Sequence, residues 1–260
     1  EKIGCLCGSS LEELVELQGD SKTTEGAQKR NPLDIDLWRT DALHQMRWES
    51  PWGSGFPGWH VECVAMSRKY LGEYFDIHTG ADDNINPHHE FEMAQAAVLS
   101  SEGGDRDPLS HYWLHSGPVS VEGQPMNKAN RNVVPVRELL ESGIRGAVVR
   151  VALLSEHYRD TLDFGEAALD RASDAVNVIL GFCEHLAGLP AGADEADAPV
   201  AQWIADTDAA FGAALDDDLD YWKAISSVAG AISGLEAETV GSPARALDAL
   251  GDWDRVLGIL

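Results

Sequence analysis

The chain has 260 residues and is 44% hydrophobic, which is enough to fill the core of one large or two modest domains. Its 19 basic and 44 acidic residues give a formal net charge of −25, which argues against nonspecific binding to nucleic-acid backbones or anionic membranes. No apolar run approaches the length of a membrane span, and four sparse cysteines favour a reducing compartment. We therefore expect a cytoplasmic protein with no membrane partner. Because the first residue is Glu1, the chain is expected to be a fragment or a processed piece.

The N-terminal part predicts one short helix and then the first half of an α/β unit. Ser10–Glu13 has the capping-box form that opens a helix, and residues 19–31 have the composition of a loop. A helical stretch follows at about His60–Leu71 and ends at a glycine. Tyr74–His78 has the composition of a strand, and residues 79–83 predict a turn.

A second helix is predicted from His88 to about Ser100, directly after Pro87. Strand, turn and helix together form the α/β unit whose strand ends hold ligands. Two further strand-like runs lie within residues 112–121, and a helix is predicted from Pro135 to about residue 143.

From Gly143 onward the pattern predicts only helices, interrupted near residues 188–199, 216–220 and 241–243. This part has 21 acidic and 7 basic residues, a net charge of −14. Apolar side chains recur at helical spacing and predict one packed stripe, in which Cys183 is a core residue. The stripe consists of Leu169, Ala172, Val176, Leu180, Cys183 and Leu186.

Three residues suggest a metal site. His88 and Glu92 are four positions apart, so on a helix they share one face, and Cys63 lies upstream. Thiolate, imidazole and carboxylate form a ligand set that suits zinc, and three protein ligands with an open fourth position are typical of zinc that meets a substrate. The alternative is a buried thiol with a solvated His–Glu pair.

Three more residues are candidates for binding substrate. Trp59 is one helical turn before Cys63 and could wall a small side chain, or it could be a core tryptophan. His78 closes a predicted strand and could bind a carboxylate, or it could be a satisfied loop histidine. Asp83 follows that strand, where ribose hydroxyls bind in nucleotide folds, although turn-capping aspartates are more frequent.

Taken together, these segments resemble cysteinyl-tRNA synthetases. The likeness extends over essentially the whole chain, in order and with matching spacing, and the PGWHVEC and PHHExE blocks are highly specific. The matching blocks are Trp48–Gly53, Pro57–Cys63, Asp76–Gly80, Asp83–Ile85, Pro87–Glu92, Ala94–Gln95, Tyr112–His115, Leu153–Arg159, Leu215–Asp220 and Leu257–Leu260.

The resemblance implies an α/β fold: the C-terminal half of a class I synthetase nucleotide-binding (Rossmann-like) core, followed by an all-helical bundle. It implies that residues 1–50 are a remnant of the connective insertion and that residues 51–124 are the second half of the catalytic core. Residues 125–164 would then be the lysine loop and stem-contact region, and residues 165–260 the bundle.

The resemblance also implies roles for the candidate residues. Cys63, His88 and Glu92 correspond to zinc ligands that hold the substrate cysteine by its thiolate. Trp59 and His78 correspond to amino-acid pocket residues, and Asp83 lies near the adenylate ribose. A zinc ion prefers thiolate to hydroxyl and so rejects serine.

Members of this family activate L-cysteine with ATP, with Mg²⁺, and transfer it to tRNA(Cys). The chain is accordingly expected to have these partners, to bind one zinc ion and to be a monomer.

Two departures from the family pattern bear on activity. The upstream half of the domain, with a fourth zinc ligand (a cysteine) and the HIGH-type ATP motif, is expected to be missing, and Cys5 and Cys7 are not expected to replace that ligand. The K-M-S-K-S loop, which binds ATP phosphates, is Pro125–Ala129 (PMNKA) here. Lys128 keeps the second lysine, whereas Pro125 replaces the first and Arg131 the usual glycine. The loss of a cation and of loop flexibility should weaken charge stabilisation. The isolated chain is expected to be inactive because the upstream motif is absent.

Two other interpretations fit the same blocks. One is a ligase that joins cysteine to an amino sugar in thiol biosynthesis, which is supported by the acidic bundle with no evident phosphate-binding stripe. The other is a catalytically lapsed paralogue that still binds zinc or cysteine, which is supported by the altered lysine loop.

Overall fold

The fold was analysed in a computed structural model, which describes residues 4–18, 30–31, 33–40, 43–100, 109–190, 198–235 and 240–260. Two compact units are present, Glu1–Ser116 and Gly117–Leu260. Most of the predicted loop at 19–31 and most of the linker at 188–199 lie outside the described residues. Within the described ranges, none of the helices combines the length and apolar character needed to cross a bilayer.

The first unit alternates helices and short strands. Its elements are α1 (Leu11–Gln18), β1 (Trp38–Arg39), β2 (Phe56–Pro57), α2 (Trp59–Leu71), β3 (Tyr74–Ala81), a 3₁₀ turn (Asp82–Asn84), a π turn (Ile85–His89), α3 (Glu90–Leu99) and β4 (Leu109–Ser116). Helix α1 begins with the predicted capping box: the Glu13 amide donates to Ser10 Oγ (3.3 Å), and the Ser10 amide donates to Glu13 Oε2 (2.7 Å). The short antiparallel pair β1–β2 was not predicted.

Strands β3 and β4 pair in parallel from Tyr74–Leu109 to Ala81–Ser116. Helix α3 packs against α2 and β4, and α2 also contacts β3. The buried side chains between them form a small core, with Trp113 packed against it. This core consists of Val64, Phe75, Ala96 and Leu109. The layer of helices on a parallel pair is the predicted α/β arrangement.

Two element boundaries differ from the prediction. The predicted turn at 79–83 is wrong in its first part, because β3 continues to Ala81, where pairing with β4 stabilises it. The predicted helix from His88 begins as an α-helix only at Glu90, since Asn86 has extended backbone angles inside the preceding π turn. Sequence periodicity cannot show such a turn, because its residues continue the helical spacing.

The second unit joins a small sheet to a helical bundle. Its elements are β5 (Val119–Val121), β6 (Gln124–Pro125), α4 (Val136–Glu141), α5 (Gly146–Leu153), β7 (Leu162–Asp163), α6 (Glu166–Gly188), α7 (Ala198–Asp216), α8 (Tyr221–Ser233) and α9 (Pro243–Leu257). The strand order is β6–β5–β7, with β5 antiparallel to β6 and parallel to β7.

Helix α6 is at the centre of the bundle, in contact with α5, α8 and α9. Its fully buried side chains are Ala168, Ala172, Val176, Ile179, Phe182 and Leu186. The predicted stripe is therefore partly wrong: Leu169, Leu180 and Cys183 are only partly buried and pack at the margin of the core. Because several helices pack around α6, the sequence pattern alone does not show where the centre of its buried face lies.

Candidate metal centre

Three elements bring the predicted zinc ligands together. Cys63 lies in α2, His88 in the π turn before α3, and Glu92 in the first turn of α3. One donor atom from each residue lies within 4.8 Å of the other two. His88 Nε2 is 3.0 Å from Glu92 Oε1. The alternative of a solvated His–Glu pair is wrong, since Glu92 is 0% and His88 6% exposed.

Glu92 is shared with a second group of donors. His78 Nε2 lies 2.9 Å from Glu92 Oε2, and His78, His89 and Glu92 also have donor atoms within 4.8 Å of one another. One carboxylate oxygen therefore faces His88 and the other faces His78. His78 was a candidate for binding a carboxylate, and in this structure it lies beside the carboxylate of Glu92.

The Glu92 carboxylate is fully buried. Among the described residues, imidazole nitrogens lie close to both of its oxygens, but neither oxygen has a hydrogen bond of acceptable geometry. Burial raises the pKa of Glu92, but His78 and His88 lower it by more, so the pKa is below its usual value. A buried ionised carboxylate with no hydrogen bond is costly unless a cation compensates it. The carboxylate therefore fits a metal ion.

The neighbouring donors have the corresponding chemistry. Burial raises the pKa of the Cys63 thiol to about 11, and the negative charge of Glu92 contributes in the same direction. The pKa of His88 is lowered, mainly by burial, so this imidazole is neutral near pH 7 and has a lone pair for a metal. A divalent cation would reverse the cost of the Cys63 thiolate, because bound metals deprotonate coordinating thiols.

Further histidines surround this centre, and the sequence analysis did not single them out. His60 Nδ1 is 2.8 Å from His88 Nδ1, and His89 Nδ1 is 2.8 Å from His115 Nε2. Burial lowers the pKa of His60 and of His89 to about 4, so both rings are neutral near pH 7. The sequence offered one signal for them: His60 directly follows Trp59, and His89 directly follows His88.

A glycine in β3 allows this crowding. A Cβ atom at Gly80 would lie 2.6 Å from His89 Cε1, closer than real contacts of this kind. The strand can therefore approach the His89 ring only where it has no side chain.

Trp59 stands at the exposed side of the centre. Its side chain is 58% exposed, so the alternative of a core tryptophan is wrong. Its ring stacks on His88 with 4.1 Å between centroids and 25° between planes. Asp83 lies exposed in the 3₁₀ turn after β3, and within the described residues its carboxylate makes no hydrogen bond or ion pair, so it caps no turn there.

The profile of the catalytic domain of class I (C) tRNA synthetases matches residues 2–174. The chain belongs to this family. It is 39% identical to the cysteine–tRNA ligase of Geobacter sulfurreducens over 84% of this chain and 45% of that protein. It is 38% identical to the cysteine–tRNA ligase of Thermococcus onnurineus (86% and 47%) and 37% identical to that of Ruegeria sp. (97% and 51%). The chain thus spans about half the length of the curated relatives it matches.

A solved structure supports the same fold. The leucyl-tRNA synthetase of Agrobacterium radiobacter K84, crystallised in a ternary complex, superposes on 82% of this chain and on 32% of its own, with a TM-score of 0.60 and 15% identity. The predicted fold class and the predicted family are therefore confirmed: a class I synthetase core with a helical C-terminal part.

The lysine loop of this synthetase chain lies in the second unit, after the β5–β6 hairpin. The loop turns tightly, since the Arg131 amide donates to the Lys128 carbonyl (3.3 Å). Asparagine side chains hold the loop: Asn127, Asn130 and Asn132 all donate to the Pro125 carbonyl oxygen. Lys128 itself is exposed and makes no ion pair with any carboxylate of the described residues. The loop thus presents the Lys128 ammonium group on the surface.

A second buried carboxylate ties the N-terminal segment to α3. Glu90 is 0% exposed and accepts hydrogen bonds from the backbone amides of Gly4 (2.8 Å), Leu6 (2.7 Å) and Cys7 (2.8 Å). This contact could not be predicted from the sequence, because it joins residues more than eighty positions apart. It anchors a segment to the helix that carries Glu92.

We predict that Glu90→Gln loosens this segment. Oε2, which accepts from the Gly4 amide, becomes an NH₂ group that cannot accept, while Oε1, which accepts from Leu6 and Cys7, can remain as the amide oxygen. A hydrogen bond to a carboxylate contributes about 1.5–3 kcal/mol, so amide hydrogen exchange at Gly4 should accelerate about tenfold or more, and that at Leu6 and Cys7 by less. Glu62→Gln, which changes an exposed carboxylate on α2, is the matched control and should leave all three rates unchanged. Equal exchange in the wild type and in Glu90→Gln would show that these bonds do not hold the segment.

Proposed function

We propose that this chain is the cysteine-binding part of a cysteine–tRNA ligase, which activates L-cysteine with ATP and Mg²⁺ and transfers it to tRNA(Cys). The observation that carries the proposal is the convergence of the Cys63 thiol, the His88 imidazole and the buried Glu92 carboxylate, whose oxygens have no well-formed hydrogen bond within the described residues. Membership of the synthetase family and the names of the curated relatives support the same reaction.

In this proposal Cys63, His88 and Glu92 hold a zinc ion. Zinc bound there would supply a Lewis-acidic position that prefers a thiolate to a hydroxyl, so serine would be rejected by coordination chemistry. Cys63 and Glu92 contribute one negative charge each as ligands and His88 none. They would balance a divalent cation and leave it able to accept one more anionic sulfur.

The surrounding residues bind and orient the substrate. Trp59, stacked on His88, offers a flat apolar wall beside the ligand set, which is suited to a small side chain. His78 Nε2 lies 2.9 Å from the second oxygen of Glu92, and His78 is the proposed contact for other polar groups of the amino acid. Asp83 follows β3 with an exposed carboxylate, and we assign it to the ribose of the adenylate.

Lys128 is the proposed phosphate-binding residue. Its ammonium group is exposed on a loop that three asparagine side chains fix from inside. A preorganised cation stabilises negative charge that develops on a transferring phosphoryl group without reorganising at the moment of reaction. We further propose that the protein is a cytoplasmic monomer and that its domains divide at residues 50, 124 and 164.

Zinc content tests the metal centre. The purified chain should retain about one zinc per molecule after dialysis, and Cys63→Ala should lose it because one of three protein ligands is gone. Cys5→Ala removes an exposed thiol elsewhere in the chain and should keep the metal. Metal is measured by mass spectrometry against protein concentration. If Cys63→Ala retained its zinc, the proposed set of zinc ligands would be wrong.

Cysteine-dependent ATP–pyrophosphate exchange tests the reaction. The isolated chain should show none, and measurable exchange by these 260 residues would refute this expectation. Joined to the part of the Geobacter sulfurreducens relative that it does not span, the chain should support exchange. Lys128→Ala should reduce the exchange rate of the joined protein by about 10²- to 10³-fold. Lys69→Ala, on α2, should leave that rate unchanged.

The acceptor is tested separately with the same joined protein. Charging of tRNA(Cys) is the expected result. Coupling of cysteine to an amino sugar without tRNA charging would instead favour the thiol-biosynthesis alternative. Zinc binding without any exchange would favour the lapsed paralogue.

A further inference from the structure

The surrounding geometry determines which ring donates the hydrogen bond between His60 and His88. His60 is the second residue of α2, and its Nδ1 lies 2.8 Å from Nδ1 of His88 in the π turn. Two ring nitrogens at this distance share a single proton, so one of them donates and the other accepts. The His60 ring is held in place by the edge of Phe91, with centroids 5.1 Å apart.

The other nitrogen of His88 decides which ring donates. His88 Nε2 is the atom that faces the candidate ligands, at 3.0 Å from Glu92 Oε1. A metal-binding nitrogen needs its lone pair, so the proton of a neutral His88 must be on Nδ1. His88 therefore donates to His60, and His60 accepts with Nδ1 and has its own proton on Nε2.

We propose that His60 is a positioning residue that fixes the tautomer and the ring orientation of His88, so that the Nε2 lone pair points toward Cys63 and Glu92. His60 is not itself a ligand in this scheme, since its Nδ1 meets Nδ1 of His88, on the side of that ring away from the candidate ligands. The inference rests on the proposed metal centre and adds to it a residue that acts through a ligand.

A neutral acceptor in this position has a consequence for substrate choice. Partners of metal-bound histidines are commonly carboxylates, which increase electron donation to the metal. The two anionic ligands in this chain, Cys63 and Glu92, already balance a divalent cation, and the cysteine ligand expected upstream would add a third negative charge. An imidazole acceptor orients His88 without adding a further negative charge, so the centre keeps its affinity for the anionic sulfur of the substrate.

Two variants separate the hydrogen bond from ring packing. His60→Phe keeps an aromatic ring against Phe91 but removes the acceptor, whereas His60→Asn loses the ring but places an amide oxygen near the former Nδ1. We expect zinc affinity, measured by chelator competition, to fall about 10- to 100-fold in His60→Phe and to remain within about threefold of wild type in His60→Asn. His111→Phe, in β4 outside the cluster, should have no effect.

The wild-type chain provides a test that does not depend on how the variants fold. Long-range ¹⁵N–¹H correlation spectra of the zinc-loaded chain should show His60 protonated at Nε2 and unprotonated at Nδ1. His60 protonated at Nδ1 would overturn the proposal. Wild-type zinc affinity in His60→Phe would overturn it too, as would equal losses in both His60 variants, which would assign the effect to packing.

The outcomes also separate this inference from the proposed function. If Cys63→Ala loses zinc and His60→Phe does not, the metal centre stands and only the positioning role fails. If the wild-type chain binds no zinc, both fail together.

Discussion

The burial of the Glu92 carboxylate is the constraint around which the first unit is built. A carboxylate that is fully removed from water needs a compensating charge or hydrogen bonds, and here imidazole nitrogens approach both oxygens without satisfying them. The ligands come from separate elements: Cys63 from α2, His88 from the π turn and His78 from β3. The donor atoms meet only when each of these elements is in place, so the metal centre depends on the fold of this unit.

Polar contacts and close approaches act beside apolar packing to hold these elements in place. The core of the first unit is small, while the bundle of the second unit has a large continuous core. Glu90 fixes the N-terminal segment on α3 by hydrogen bonds to backbone amides, and Gly80 lets β3 approach His89. Such contacts are directional, so they define the orientation of the donor atoms more sharply than apolar packing would.

The two units divide the proposed chemistry. Recognition of the amino-acid side chain is assigned to the first unit, through Cys63 and its partners, and contact with phosphate to Lys128 in the second. The loop that carries Lys128 is fixed by asparagine side chains on the Pro125 carbonyl. A fixed loop lowers the cost of ordering the remaining cation when charge develops.

The sequence alone determined the family, the order of the main elements and the three candidate ligands, because motif spacing and helical periodicity are local properties. His88 and Glu92 could be paired from their four-residue separation, and α6 could be predicted from its apolar pattern. Only the tertiary structure brought His78 and His60 to the centre, revealed Glu90 as an anchor and placed Trp59 on the surface. These facts depend on which strand and turn approach which helix, and such contacts between distant segments arise from packing, which leaves no periodic signal in the chain.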